Sequence, residues 1–288
     1  MRKACTGIIA GVAGVLMLSA LLSGQGGTPQ SAAPKSPWKY YPEDARANKG
    51  PGGPAPVRDM TGTWAGESSG GGVRQPVRPE NPPPLTPLGK QAWEGHKAES
   101  RGVLIAESND PHLRYCDPFG FPRNMNDQIR SMTITTLPTR TFVLLAFQNI
   151  WREIWTDGRA LPTRFAGRGA DVHDPVYNGY SVGRWTDDYT FLVETTGMAA
   201  ETWATEAGHP HSIDALVTER YHRSSQYDLT LTMTMDDPKL YTRQLKLGEF
   251  FFRWIPSQTF FNTTCIPSSL QRYLKEMADP AGTPGTAR

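Results

Sequence analysis

The chain has 288 residues, and its 30 Lys and Arg against 28 Asp and Glu leave a formal net charge of only +2. A charge this balanced provides no basic surface for a nucleic acid, so we predict no nucleic-acid partner. After the leader and linker described below, about 230 residues remain, a length that a single all-β domain can reach.

The N-terminus has the pattern of an export signal. Met1, Arg2 and Lys3 supply the positive start, an apolar run extends from Ile8 to Leu22, and small residues follow. Because a membrane-spanning helix needs roughly 20 apolar residues, this run is too short for an anchor. We predict a signal peptide over residues 1–24, a periplasmic or secreted protein, and no stable membrane insertion after cleavage.

Removal of the leader changes the cysteine count. Cys5 leaves with it, and only Cys116 and Cys265 remain. Two cysteines in an oxidising compartment usually pair, so we predict a disulfide between them; the alternative is two unpaired buried thiols. In the chain-entropy model, a disulfide that closes such a long loop stabilises the folded state by on the order of 4 to 5 kcal/mol.

The composition divides the rest of the chain. Residues 25–57 are rich in Gly, Pro, Ser and Ala and predict a disordered linker. A single β-barrel domain is expected over 58–268, with a Pro/Gly-rich insertion at 66–84, and a C-terminal tail over 269–288. Thr86 and Pro87 fit an N-cap and first helical residue, so one short peripheral helix is predicted from Leu88 to Glu99.

From Ser131 onward, short runs of alternating apolar residues are separated by turn residues, which is typical of an antiparallel meander. Including the start near Trp64, eight or nine strands are expected, and they could close as a barrel. The later strands are predicted near residues 131–137, 140–147, 150–156, 179–185, 189–196, 213–222, 227–235 and 245–254.

Seven segments resemble a widespread, poorly characterised family of exported bacterial proteins. They are Pro87 to Lys90, Asn109 to Pro111 leading to Cys116 through Arg123, Thr156 to Arg159, Ser181 to Trp185, Gly208 to Ser212, Val217 to Arg220, and Asp236 to Pro238. The resemblance implies no established activity. Gly62-Thr63-Trp64 also looks like the Gly-x-Trp that opens lipocalin-like barrels, so the expected fold is an all-β, lipocalin-like (calycin-type) barrel.

The candidate chemistry centres on one loop and the strand that follows it. His211 is a candidate general acid or base, Glu219 could orient it, and Arg220 or Arg184 could stabilise developing negative charge. Glu219 lies in an otherwise apolar row of its strand. The alternative is structural: Glu219 and Arg220 form ion pairs, and His211 satisfies a backbone group.

Metal binding and nucleotide cofactors are not predicted. His209 and His211 could bind a metal with His173 and Asp171 or Asp174, but these residues are far apart in sequence and form no tight cluster. There is no Gly-x-Ser-x-Gly elbow and no phosphate-binding glycine loop between a strand and a helix. No cofactor is therefore expected.

The aromatic and arginine residues suggest a binding pocket. Most of the tryptophans are expected in the core, and a minority could line a pocket. Arginines at 123, 152, 159 and 184 could clamp a carboxylate, but are expected mostly to pair with Glu153, Glu194 and Glu219. The predicted ligand-binding residues are Arg184, Trp151, Trp155, Trp185, Glu194 and His209.

Two functions follow from this sequence. The first is binding of a small, partly hydrophobic molecule in a barrel pocket. The second is a periplasmic enzyme, a lyase, isomerase or hydrolase, that uses His211, Glu219 and an arginine in the same pocket. A small-molecule ligand or substrate is the expected partner in both.

Overall fold

Nine strands form a closed barrel in the computed structural model, which describes residues 50–66, 76–98, 108–126, 131–169, 171–258 and 263–282. The predicted signal peptide, the linker up to residue 49 and part of the predicted insertion lie outside the described residues. The strands are β1 Gly62–Ala65, β2 Ser131–Leu137, β3 Arg140–Leu145, β4 Ile150–Trp155, β5 Tyr180–Trp185, β6 Thr190–Thr196, β7 Leu216–Arg223, β8 Asp228–Asp236 and β9 Leu245–Trp254. The all-β barrel prediction is confirmed.

The barrel follows chain order and is closed by β1 against β9. Trp64 pairs with Trp254 and Ala65 with Arg253 across this junction. Successive side chains of a strand point to opposite faces, and this decides which residues of β8 face the barrel interior. Leu229, Met233 and the other odd-numbered residues of β8 are buried, while the threonines between them point outward. Packed side chains from all sides therefore fill much of the described barrel interior.

One strand pair departs from the predicted antiparallel meander. The strands β4 and β5 run parallel and pair only at Ile154 with Ser181 and Trp155 with Val182. A parallel pair needs a long crossover rather than a tight turn. Residues 156–179 provide that crossover, and Asp157 and Gly158 lie at its beginning.

A bulge in β9 accommodates the segment that follows the first strand. The register between β8 and β9 shifts between Met233 and Thr234. On the other strand Gly248 has φ +137°, and a Cβ there would lie 2.6 Å from the carbonyl oxygen of Val77. A glycine is required because the backbone of Val77 packs directly against this position and bridges to Glu249.

Among the described residues there are five short α-helices, where the sequence predicted one. They are α1 Pro87–Gly95, α2 Pro111–Tyr115, α3 Arg123–Asn126, α4 Pro267–Tyr273 and α5 Asp279–Gly282, with a π-helical turn at Leu274–Ala278 between the last two. The predicted start of α1 is confirmed, because the Thr86 hydroxyl accepts from the Gly89 N–H at 3.1 Å. The others are too short to show a helical period.

The residues of the predicted C-terminal tail are helical up to residue 282. Leu274 and Ala278 are buried, and the Gln271 amide donates to the Arg114 carbonyl at 2.9 Å. Arg114 also forms an ion pair with Asp279. The last residues of the predicted linker also contact the barrel domain, since the Gly53 N–H donates to the Gln226 side chain at 2.8 Å.

The predicted disulfide between Cys116 and Cys265 is confirmed. Their Cα atoms are 5.5 Å apart, and the bond closes a loop across 149 positions. It links the end of α2 to the segment before α4. Within the part of the chain that the structure describes, no helix is long and apolar enough to cross a membrane.

Candidate functional site

A groove opens in the barrel wall where β4 and β5 separate. Because the two strands share only two residue pairs, their remaining lengths leave a gap between them. The groove has a volume of about 560 Å³. It is lined by Pro118, Asn149, Ile150, Trp151, Arg152, Glu153, Trp155, Val176, Tyr177, Asn178, Gly179, Tyr180 and Ser181.

Aromatic side chains on the outer face of the barrel form the sides of this groove. The side chain of Trp151 is 61% exposed and that of Tyr177 is 40% exposed. Trp151 contacts Phe142 edge-on, with ring centroids 6.1 Å apart. An exposed indole held in place by a neighbouring ring is a preformed surface for a ligand ring.

Trp155 lies at the other end of the same face of β4. The guanidinium carbon of Arg140 is 3.9 Å from the centre of its ring and that of Arg159 is 3.4 Å away. Arg140 also pairs with Glu153 at 2.5 Å, and Arg159 pairs with Asp157 at 2.7 Å. These contacts fix the indole and balance the charges around it.

Beneath the outer face, Arg152 points into the barrel because strand alternation places it opposite Trp151 and Glu153. It forms a two-pronged pair with Glu219, at 2.9 and 2.7 Å. Arg152 is 1% exposed and Glu219 is fully buried. Burial opposes the charge of Arg152, but the charge and hydrogen bonds of Glu219 outweigh it and raise the arginine pKa.

Hydroxyl groups complete this buried cluster. Tyr221 donates to Glu219 at 2.8 Å, while Ser181 and Thr195 lie 2.8 Å from each other and 3.4 Å from Arg152. Burial, with the charge of Glu219, raises the pKa of Tyr221 well above its usual value. The phenol therefore stays protonated and serves as a donor to the carboxylate.

The segment after the disulfide covers one side of this cluster. The ring of Phe121 lies 3.8 Å from the guanidinium carbon of Arg152 and is fully buried. A second buried ion pair, between Arg123 and Asp110 at 2.7 Å, anchors the same segment. The motif from Cys116 to Arg123 therefore packs against the barrel through aromatic and charged contacts.

In the motif from Gly208 to Ser212, the side chains of His211 and Ser212 are held by contacts with neighbouring residues. His211 is buried, with Nε2 2.8 Å from the Thr202 hydroxyl and Nδ1 3.3 Å from the Ser212 carbonyl. The Ser212 N–H and hydroxyl both donate to Asp237. Burial lowers the pKa of His211, so the ring is neutral near pH 7.

His209 is also buried, but within the described part of the chain neither of its ring nitrogens has a hydrogen-bond partner. Its ring meets Trp93 edge-on at 5.7 Å. Burial lowers its pKa to about 4. It does not line the groove.

The structure does not bring the predicted catalytic residues together. Within the described chain both oxygens of Glu219 bond to Arg152 or Tyr221, and no hydrogen bond joins Glu219 to His211. Arg220 is exposed on the opposite face of β7 and donates to Thr190 at 3.3 Å. The structural alternative fits Glu219, which pairs with Arg152, and His211, which contacts the Ser212 carbonyl; the catalytic roles stay predictions.

The structure does not bring the six predicted ligand-binding residues together in one place. Trp151 and Trp155 line the groove. Arg184 and Glu194 pair with each other on the outer face of β5 and β6, and Trp185 packs on Phe191 with ring centroids 5.3 Å apart. The expected pairing of arginines with glutamates is confirmed for Arg152 and Arg184.

Sequence reasoning missed the far side of the groove. Asn149 follows a turn, and Tyr177, Asn178 and Tyr180 belong to the crossover or its end. The segment between Asp157 and Gly179 has no strand alternation, so nothing in the sequence placed it beside β4. Among the described residues, no three His, Cys, Asp or Glu side chains are grouped so that they could hold a metal ion.

A comparison with protein-family models gives no match, and a comparison with curated proteins gives none either.

Proposed function

We propose that this chain is an exported β-barrel protein that binds a small, partly hydrophobic molecule in the groove between β4 and β5. The observation that carries the proposal is the combination of exposed aromatic side chains, Trp151 and Tyr177, with polar groups at the same groove. Small-molecule sites combine apolar and aromatic walls with a few fixed polar groups, and they occupy volumes of roughly 300 to 1,000 Å³.

The polar groups of the groove are held in place before a ligand arrives. Asn178 accepts from the Asn124 amide at 2.8 Å and donates to the Trp151 carbonyl at 3.3 Å. Ser181 is fixed by Thr195 and Arg152 beneath the groove. Such pre-organisation lowers the entropy cost of binding, because few side chains have to be ordered by the ligand.

The binding proposal is tested with the neutral fluorescent probe N-phenyl-1-naphthylamine. We expect a saturable rise in probe emission with the full chain and at least a tenfold weaker affinity for Trp151→Ala. Tyr189→Ala is the matched control, since Tyr189 is an exposed aromatic residue that does not line the groove. Equal loss of affinity in both variants contradicts the proposal.

Export is tested separately. The pattern of residues 1–24 and the disulfide at Cys116 and Cys265 support it. N-terminal sequencing of the protein from a periplasmic extract is expected to show a new terminus after the apolar run. An intact Met1 on protein that stays in the cytoplasm contradicts export.

A further inference from the structure

We propose that the ligand of the β4–β5 groove is an uncharged saccharide. This inference rests on the proposed binding function and names the chemical class that the groove selects. Three features of the lining support it: its charges are already paired, its aromatic rings are open to water, and its polar groups both donate and accept hydrogen bonds.

The charges of the lining residues argue against an ionic ligand. Only Arg152 and Glu153 are charged among the residues that line the groove. Arg152 is paired with Glu219 at 2.7 Å, and Glu153 with Arg140 at 2.5 Å. An ionic ligand would lose its hydration here without gaining a free counter-charge, which is unfavourable.

The exposure of the aromatic rings argues against a wholly apolar ligand. Such molecules bind in enclosed sites that remove most of their surface from water. In this groove Trp151 and Tyr177 remain open to solvent at its sides. A sugar ring suits this geometry, because its C–H face can lie on an indole or phenol ring while its hydroxyl groups stay hydrated.

The uncharged polar groups match hydroxyl groups. Each sugar hydroxyl donates one hydrogen bond and accepts others, so it needs partners of both kinds. The side-chain amide of Asn178 and the hydroxyl of Tyr177 each carry donor and acceptor atoms, and both residues line the groove. The contact of Asn178 with Asn124 holds its amide in a defined orientation.

Isothermal titration calorimetry of the full chain tests the saccharide class. The probes are the neutral tetrasaccharides cellotetraose, maltotetraose, xylotetraose and chitotetraose, with the acidic trisaccharide of galacturonic acid for comparison. We expect at least one neutral probe to bind, with its affinity reduced at least tenfold in Trp151→Ala and unchanged in Tyr189→Ala. We also expect the affinity to change less than twofold between low and high salt, since no ion pair is formed.

Three outcomes overturn the inference. Preferential binding of the acidic probe, with a strong loss of affinity at high salt, shows that the groove selects charge. Binding of N-phenyl-1-naphthylamine that depends on Trp151, without binding of any saccharide, leaves the groove as a binding site but makes the saccharide class wrong. Absence of binding by both kinds of probe overturns this inference and the proposed function together.

Discussion

Two arginine–glutamate pairs lie on opposite faces of the barrel wall, and they differ in their exposure to water and in the number of their hydrogen bonds. Arg152 and Glu219 point inward and are 1% and 0% exposed, whereas Arg184 and Glu194 point outward and are 55% and 27% exposed. Water screens the outer pair, while the inner pair depends on its own contacts and on Tyr221. The same side-chain chemistry therefore has very different energetic consequences on the two faces.

The largest expected effect comes from breaking the inner pair. Glu219→Gln leaves the guanidinium of Arg152 buried without a counter-charge, and we expect the free energy of unfolding to fall by about 3 to 5 kcal/mol. Urea unfolding followed by tryptophan fluorescence measures this change.

The double variant Arg152→Met with Glu219→Leu is the control for the inner pair. Because it removes both charges and keeps similar volumes, it should recover much of the loss seen in Glu219→Gln. A loss in Glu219→Gln below about 1 kcal/mol would show that the inner pair behaves like an exposed one.

A second effect on stability concerns His209, which is buried like the inner pair but whose ring nitrogens bond to no residue that the structure describes. Its folded-state pKa of about 4 lies below the ordinary value near 6.5. Between these values the unfolded chain binds a proton that the folded chain does not, so stability decreases as the pH falls from about 6.5 to about 4. The full loss is on the order of 3 kcal/mol.

Denaturant unfolding at several pH values between 4 and 7.5 measures the His209 effect. The His209→Leu variant should show a shallower dependence of unfolding free energy on pH than the natural chain. A remaining slope is expected, because burial also lowers the pKa of His211. Identical slopes in the two proteins would show that His209 does not titrate in this range.

Removing a single hydrogen-bond donor to the inner pair should have a smaller effect on the free energy of unfolding. Tyr221→Phe deletes the hydrogen bond to Glu219 at 2.8 Å, and a bond to a charged group contributes roughly 1.5 to 3 kcal/mol. Tyr241→Phe is the matched control, since its hydroxyl donates to the neutral Pro210 carbonyl at 2.7 Å. Thermal and urea unfolding should rank Tyr221→Phe as the more destabilised variant; the reverse order would contradict a charge-assisted bond.

The smallest effect is expected on the outer face. Glu194→Gln breaks the pair with Arg184 in contact with water, so the change in unfolding free energy should stay below about 1 kcal/mol. The change should become smaller still at high salt. A loss as large as that of Glu219→Gln would remove the distinction between the two faces.

Local patterns were sufficient to predict most strands but not every partner. The alternation in β8 and the turns around Asp187 and Ser224 are local, so the strand positions followed from neighbouring residues alone. The crossover between β4 and β5 could not be predicted in this way. Its parallel return depends on where residues 156–179 pack, and they show no regular alternation.

The candidate site likewise combines residues that local sequence could predict with residues that it could not. Trp151 and Trp155 could be selected as binding residues because they are large aromatic side chains on a predicted strand. Tyr177 and Asn178 could not, because they reach the groove only through the crossover. The predicted partnership of His211 with Glu219 relied on their closeness in sequence, whereas Glu219 faces the barrel interior and bonds to Arg152 from β4.

The sequence by itself determined the strand pattern, the start of α1 and the pairing of Cys116 with Cys265. These features depend on local periodicity, on capping chemistry and on a count of two cysteines after the predicted leader. Only the tertiary structure decided which glutamate each arginine meets and where a groove opens. Those properties arise when distant strands become neighbours, and a gap forms where the pairing of β4 and β5 stops after two residue pairs.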